Sequence, residues 1–260
     1  MAYKDLLVVV DNSPNVGERI RLAADLAERF DAHLSGLYAA LISKAEPPHK
    51  EQRARALFED VVGPRKLSAE WRATTGFPID IAAVQARYAD LTVLGQIDPD
   101  DAQAPVNGPR PEDIALSVGR PVLIVPYVGA HPTFGLRVLV GWDGSREATR
   151  AINDAIPLLA AASSVTVLTI DPMVGREEHG DVPGADIALY LARHGVTARV
   201  ESMASGGIGT GNALLSRASD LSADLLVMGA YGHSQMRELV LGGATRTVLE
   251  SMTLPVLMSH

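Results

Sequence analysis

A glycine frame that occurs twice, intact once and damaged once, constrains this chain more than any other feature. Near the C-terminus the sequence runs Gly229-Ala230-Tyr231-Gly232 and, after nine further residues, Gly242-Gly243-Ala244-Thr245. Moved back by 134 positions the frame returns without a gap: Gly95 falls on Gly229, Gly108 on Gly242, Pro121 on Pro255, and Ala89-Asp90 on Ala223-Asp224. The residues between these points differ in kind. Asp98 stands where Gly232 is, Pro109 where Gly243 is, and Pro111 where Thr245 is. A chain of 260 residues with a period of that size reads as two ordinary domains rather than one large one. The expected domains are residues 1–127 and 136–260, joined by a linker over 127–135.

Within each half, short apolar runs alternate with longer amphipathic ones. Leu6–Val10 is continuously apolar and ends at Asp11-Asn12-Ser13; Val138–Val140 ends likewise at Asp143-Gly144-Ser145. Runs of this kind suit strands buried on both faces of a parallel sheet. After each comes a helical stripe, Ile20, Ala23, Ala24, Ala27 and Phe30 in one half and Ala148, Ala151, Ile152, Ala155 and Leu158-Leu159 in the other. Further strands are expected at His33–Ala40, Leu91–Leu94 and Val122–Val125, and at Val165–Ile170, Leu225–Met228 and Val256–Met258. The alternation predicts an α/β fold: two doubly wound, Rossmann-like parallel sheets of five strands each, in tandem.

Charge narrows the partners. Residues 1–130 carry 14 Lys/Arg against 18 Asp/Glu and the remainder 9 against 13, so both halves are mildly acidic. That argues against the basic face that nucleic acid requires, but not against a nucleotide, whose phosphates backbone amides can hold. There are no cysteines, hence no disulfide and no thiolate metal site. The N-terminal apolar run is too short for a signal peptide, and no run approaches the ~18 apolar residues of a membrane span. The expectation is a soluble cytoplasmic protein.

The intact frame follows a buried strand and precedes an amphipathic segment, Thr245–Met252. Gly229 and Gly232 let the backbone leave the sheet and approach a ligand with no Cβ between. Gly242-Gly243 lead the chain to a helix start, where free amides and the helix dipole favour an anion, and Thr245 adds a hydroxyl. Ligands of open parallel sheets lie beyond the carboxyl ends of the strands at the switch point, so Trp142 and Asp143 should face the same crevice. There Asp143 suits a ribose hydroxyl or an amino group, and Trp142 an apolar wall. Plainer readings stand beside these. Such glycines often serve only turns. Asp143 with Ser145, like Asp11 with Ser13, is equally placed to cap the next helix. Trp142 and Tyr231 suit packing, and His233 and Arg237 suit either phosphate contact or solvent.

These residues resemble the universal stress protein family, in its tandem form. Its ATP-binding members carry G-x2-G-x9-G-(S/T) at this place, and Val138–Ser145 is similar to the family's first strand and Asp-Gly-Ser turn. The resemblance spans both copies. It implies an adenine nucleotide alpha hydrolase-like fold and ATP, with or without Mg2+, held by Trp142, Asp143, Gly229, Gly232, His233, Gly242, Gly243, Ala244 and Thr245. It further implies base contacts near the end of the second strand, at Thr169 and Ile170. This sequence departs from the signature at Gly243, where the family has a hydroxyl residue; the hydroxyl comes two residues later, at Thr245.

The first copy reads as disabled. Asp98 brings negative charge to a phosphate site, and Pro109 and Pro111 lack the N–H groups such a cradle needs. Its expected part is that of pseudo-dimer partner within the chain, with pairing of chains into a homodimer left open. Three functions follow. The first is an ATP-binding stress-response protein that uses the nucleotide as a regulatory ligand toward an unknown protein partner. The second is a slow ATPase or nucleotide-using enzyme of the same fold, and the third a structural protein or sensor of another ligand. The absence of a G-x4-G-K-(S/T) loop and of any lysine after Lys66 weighs against fast phosphoryl transfer.

Overall fold

The computed structural model describes residues 2–41, 48–100, 110–172, 184–231 and 243–260. The chain divides into two compact units, residues 2–131 and 132–260. In the first, β1 (Asp5–Val9), β2 (His33–Leu41), β3 (Ala69–Gly76), β4 (Leu91–Gly95) and β5 (Val122–Val125) alternate with α1 (Val16–Phe30), α2 (Pro48–Val62), α3 (Pro78–Ala86) and α4 (Pro111–Val118). In the second, β6 (Arg137–Gly141), β7 (Ser164–Ile170), β8 (Ala198–Met203), β9 (Leu225–Gly229) and β10 (Val256–Ser259) alternate with α5 (Arg146–Ala160), α6 (Ala185–Arg193), α7 (Thr210–Asp220) and α8 (Gly243–Ser251).

The strand order is β3-β2-β1-β4-β5 in one unit and β8-β7-β6-β9-β10 in the other. The pairings β1–β2, β1–β4, β2–β3 and β4–β5 are parallel, as are β6–β7, β6–β9, β7–β8 and β9–β10. Register follows from the apolar runs: Leu6 lies beside Leu34 and Leu91, and Val138 beside Val165 and Leu225. In this order the connections to one side of the first strand place two helices on one face, and those to the other side place two on the opposite face. Accordingly α1 packs on α2 and α3 on α4. The central strands are buried on both sides, and Ile20, Ala23, Ala24 and Ala27 of α1 close over them, as Ala148, Ala151, Ile152 and Ala155 of α5 do in the second unit. Each buried Leu or Ile contributes roughly 1.5–3 kcal/mol to this core.

The repeat is written into the hydrogen bonds as well. Asp90, just before β4, accepts the N–H groups of Lys4 (2.7 Å) and Asp5 (3.1 Å) with one carboxylate oxygen. Asp224, just before β9, does the same for Leu136 and Arg137, both at 2.9 Å. In both units a buried backbone N–H of the same Asp returns to the strand start, Asp90 to Asp5 O and Asp224 to Arg137 O. The Ala-Asp pair shared by the two copies is therefore a clamp that fixes where the first strand begins.

Candidate functional site

In the second unit the strand order reverses between β6 and β9, and their carboxyl ends lie side by side. The first ends in Gly141-Trp142-Asp143, the second in Gly229-Ala230-Tyr231. Trp142 is half-buried, and its N–H donates to Leu168 O at 2.9 Å, so it continues the sheet edge. Asp143 is exposed, and its Oδ1 accepts the Ser145 N–H at 3.0 Å across Gly144, which takes φ 75°. Ser145 then caps α5 by accepting the Ala148 N–H at 3.1 Å, a bond worth about 1 kcal/mol. The cap thus belongs to Ser145, while Asp143 turns the chain and keeps its carboxylate toward solvent at the switch point.

The first residue of the glycine frame has a packing reason. A Cβ on Gly229 would lie 2.5 Å from Ala148 N and 2.7 Å from Glu147 C, so glycine lets the first turn of α5 seat directly on β9. Gly243, by contrast, opens α8 with nothing among the described residues within 4 Å of where its Cβ would be. Ala244 is partly exposed beside it. Thr245 is 3% exposed, and its Oγ1 accepts the Tyr231 N–H at 3.2 Å. The hydroxyl expected to donate to a phosphate here ties the end of β9 to the start of α8, and it holds Tyr231 at φ 65°. The His260 ring nitrogen adds a contact to Ala230 O at 3.0 Å. Gly232, His233, Arg237 and Gly242 lie outside the described residues.

One strand further, Thr169 is buried, with its Oγ1 2.6 Å from Ser202 Oγ and 3.3 Å from Glu201 O. Its hydroxyl is committed to β8. Ile170, partly exposed, ends β7. The structure therefore brings Trp142, Asp143 and Gly229 to one edge and joins Thr245 to it through Tyr231. Thr169 and Ile170 stand one strand away. Among the described residues no group of three or more His, Asp or Glu is placed to hold a metal ion.

The same switch point in the first unit is filled by a residue the sequence reading missed. Arg19 on α1 is 4% exposed. Its guanidinium bonds to Val9 O (2.9 Å), to Asp11 Oδ1 (2.9 Å) and Oδ2 (3.1 Å), and to Ser13 Oγ (2.9 Å). A Cβ on Gly95, the counterpart of Gly229, would come within 2.8 Å of Arg19 Cζ. Arg19 is wedged between α1 and the end of β4, where in the second unit α5 touches β9 directly. Burial opposes ionisation of Asp11, but the Arg19 charge and the Ser13 hydrogen bonds outweigh it and hold the carboxyl below its ordinary range. The expectation that Asp11 and Ser13 cap α1 is corrected. The helix starts at Val16 with Asn15 as N-cap and no side-chain cap bond, because both side chains are taken up by Arg19.

A signal for Arg19 was present in the sequence. It is three residues after Val16 and four before Ala23, inside the apolar stripe of α1. In the Asp11-Asn12-Ser13 to Asp143-Gly144-Ser145 frame it falls on Ala151, which is buried. Of the first copy's other marks, Pro111 is the first residue of α4, where a missing N–H costs nothing. Asp98 accepts the Asp100 N–H at 2.9 Å. Gly108 and Pro109 lie outside the described residues.

Residues 136–260, which contain the switch point with the exposed Asp143 and the intact frame, match the model of the Universal stress protein family. This half of the chain is similar to the universal stress protein family. Universal stress protein Slr1230 from Synechocystis is 28% identical over 188 residues, which is 70% of this chain and 62% of that protein; the match thus spans less than two thirds of the relative's length. Among solved structures, a universal stress protein from Archaeoglobus fulgidus is similar over 98% of this chain and 97% of its own, with a TM-score of 0.72 at 17% identity. A functionally unknown protein from Pseudomonas aeruginosa PAO1 is similar over 99% of this chain and 92% of its own, with a TM-score of 0.68 at 16% identity. At these identities the likeness is one of fold. Both structures cover both units, so the likeness of fold extends over the whole chain and not only its second half. Among the described residues no helix is long and apolar enough to cross a membrane.

Proposed function

We propose that the second half holds one ATP per chain as a regulatory ligand and that the first half holds none. The observation that carries this is the contrast at the switch point. Arg19, neutralised by Asp11, fills it in one half; the other half has Ala151 at that position, an exposed Asp143, and the intact glycine frame alongside. In this reading Asp143 takes a ribose hydroxyl or the adenine amino group, Trp142 walls the base, and the strand end at Thr169-Ile170 lies toward it. The amides of the segment from Gly229 to Thr245, with His233 beside them, receive the phosphates, and Thr245 holds the two ends of that segment together. Mg2+, where it accompanies the nucleotide, rides on the triphosphate.

The same residues argue for slow turnover. Fast phosphoryl transfer needs fixed positive charge at the γ-phosphate and a group that orients the nucleophile. The second half contains no lysine, which leaves His233 and Arg237 as the nearby candidates. ATP then acts through the conformation it favours, read by a partner protein in the cytoplasm. Protein purified from cells, denatured and extracted, should release adenine nucleotide in mass spectrometry. Phosphate release with magnesium and saturating ATP should stay well under about 1 per second. Turnover at or above that rate, lost in Arg237→Ala, would make the protein an enzyme. An extract whose bound compound lacks an adenine ring would make it a sensor of something else.

A further inference from the structure

The amino ends of β6, β7 and β8 form a second concave site, at the opposite end of the strands from the crevice. Register and alternation put Arg137, Ser164, Thr166 and Arg199 on one face of the sheet. Arg137 lies beside Ser164, and Thr166, two residues further along, beside Arg199. Helix α7 packs on this same face: a Cβ on Gly141 would meet Leu214 at 3.2 Å, and Arg217 pairs with Glu201 at 2.6 Å. The helix ends at Asp220, and beyond it an open groove of about 500 Å3 remains between the strands and Leu221. Ser163 and Thr197 line it as well, so hydroxyl side chains and two arginines share one space. Among the described residues no Asp or Glu lines it. The neighbouring Asp224 is turned onto the N–H groups of Leu136 and Arg137.

Charge identifies the ligand. The chain carries a net charge of −8, and Arg146, Arg150, Arg217 and Arg246 of the second unit each pair with a carboxylate. Arg137 and Arg199 are exposed and form no ion pair among the described residues. The duplication supplies a control. In the first unit Asp5 lies beside His33 as Arg137 does beside Ser164, and Glu70 beside Ser35 as Arg199 does beside Thr166. Both arginine positions are thus acidic in the other copy. We propose that the groove binds a phosphoryl group, free or carried on a small hydroxylated compound, between Arg137 and Arg199. Strand spacing and rise set their Cα atoms about 12 Å apart, so two extended side chains converge over Ser164 and Thr166. Arg137 Nε donates to Ser222 O, which anchors that side chain and leaves its Nη groups for a ligand. One guanidinium satisfies a carboxylate; two, with hydroxyl donors beside them, suit the double charge and several oxygens of a phosphate.

An NMR titration of the full chain with inorganic phosphate tests this, without reference to any nucleotide. The amides of Ser164, Thr166 and Arg199 should shift together and saturate, with dissociation at about 1 mM, the strength open charge-assisted contacts reach. Arg199→Gln, an exposed substitution away from the core, should weaken binding about tenfold, and so should Arg137→Gln. Gly232→Asp, in the glycine frame, should leave it unchanged. Parallel titrations with glucose 6-phosphate and with glucose separate the sources. Tighter binding of glucose 6-phosphate than of phosphate assigns the groove to an ester, and equal binding assigns it to free phosphate; both support the site. No saturable shift at these amides up to about 20 mM phosphate overturns the proposal. So does binding that survives Arg199→Gln, binding that is lost in Gly232→Asp, or glucose binding as tightly as its phosphate.

Discussion

Arg19 and Ala151 occupy the same place on corresponding helices, and the difference between them separates the two halves of this protein. Where Arg19 lies, the guanidinium stands between α1 and the end of β4, bonded to Asp11 at 2.9 Å. Where Ala151 lies, the helix meets the strand and the carboxylate two turns upstream, Asp143, faces solvent. A duplicated fold has kept its core and its strand clamps while one crevice was filled by its own side chain.

The Arg19–Asp11 pair makes the stability of the first half sensitive to acid. Because the folded Asp11 pKa is depressed, its contribution is fully present above the unfolded carboxylate value, near 4, and is lost as pH falls through the lower folded value. Asp11→Asn should lower stability at pH 7 by roughly 1–2 kcal/mol, less than for a fully buried pair because part of the carboxylate reaches water. The deficit should shrink toward pH 3. Urea unfolding at the two pH values checks this, and an equal deficit at both would remove the ion pair as the cause.

The strand clamps should matter alike in both copies. Asp224→Ala strands the N–H groups of Leu136 and Arg137, and Asp90→Ala those of Lys4 and Asp5. Each substitution should cost about 2 kcal/mol, with the larger effect at the more buried Asp224. Thermal unfolding of the two variants measures it. A neutral result at Asp224 would mean that water replaces the carboxylate.

Glycine has different reasons at Gly229 and Gly243, and substitution should separate them. Gly229→Ala drives a methyl into the backbone of α5 and should destabilise the second half by several kcal/mol. Gly243→Ser meets none of the described residues within 4 Å and supplies the hydroxyl the family signature has there, so it should tighten ATP binding roughly five- to tenfold, one added hydrogen bond. Titration of ATP into the Gly243→Ser chain decides; unchanged affinity would place the phosphates elsewhere.

Most of the fold was legible because its signal is redundant. Continuous apolar runs such as Leu225–Met228 admit few readings other than a strand buried on both faces, and they recur in both copies. The Ala-Asp pair repeats in frame, but that it clamps the start of the first strand shows only in the hydrogen bonds. The site was less so. Glycine says only that a side chain is not tolerated, and at Gly229 the neighbour is a helix backbone while at Gly95 it is Arg19. Thr245 reads as a phosphate donor from its spacing in the frame, but spacing does not reveal that its oxygen also accepts the Tyr231 N–H, a bond that leaves the hydroxyl proton free to donate. Arg19 was hidden by its type: a charged residue in a helix is ordinarily solvated, and only its position in the apolar stripe, read against Ala151, marks it as buried.

In the proposed function one half of a duplicated chain binds nucleotide and the other is filled by its own arginine. Isothermal titration of ATP into the full chain tests it most directly. One site per chain is expected, unchanged in number in Arg19→Met and weakened about a hundredfold by Gly232→Asp, which copies the first half's Asp98 into the intact frame. Two equivalent sites per chain, or one site that persists at full affinity in Gly232→Asp, would contradict it.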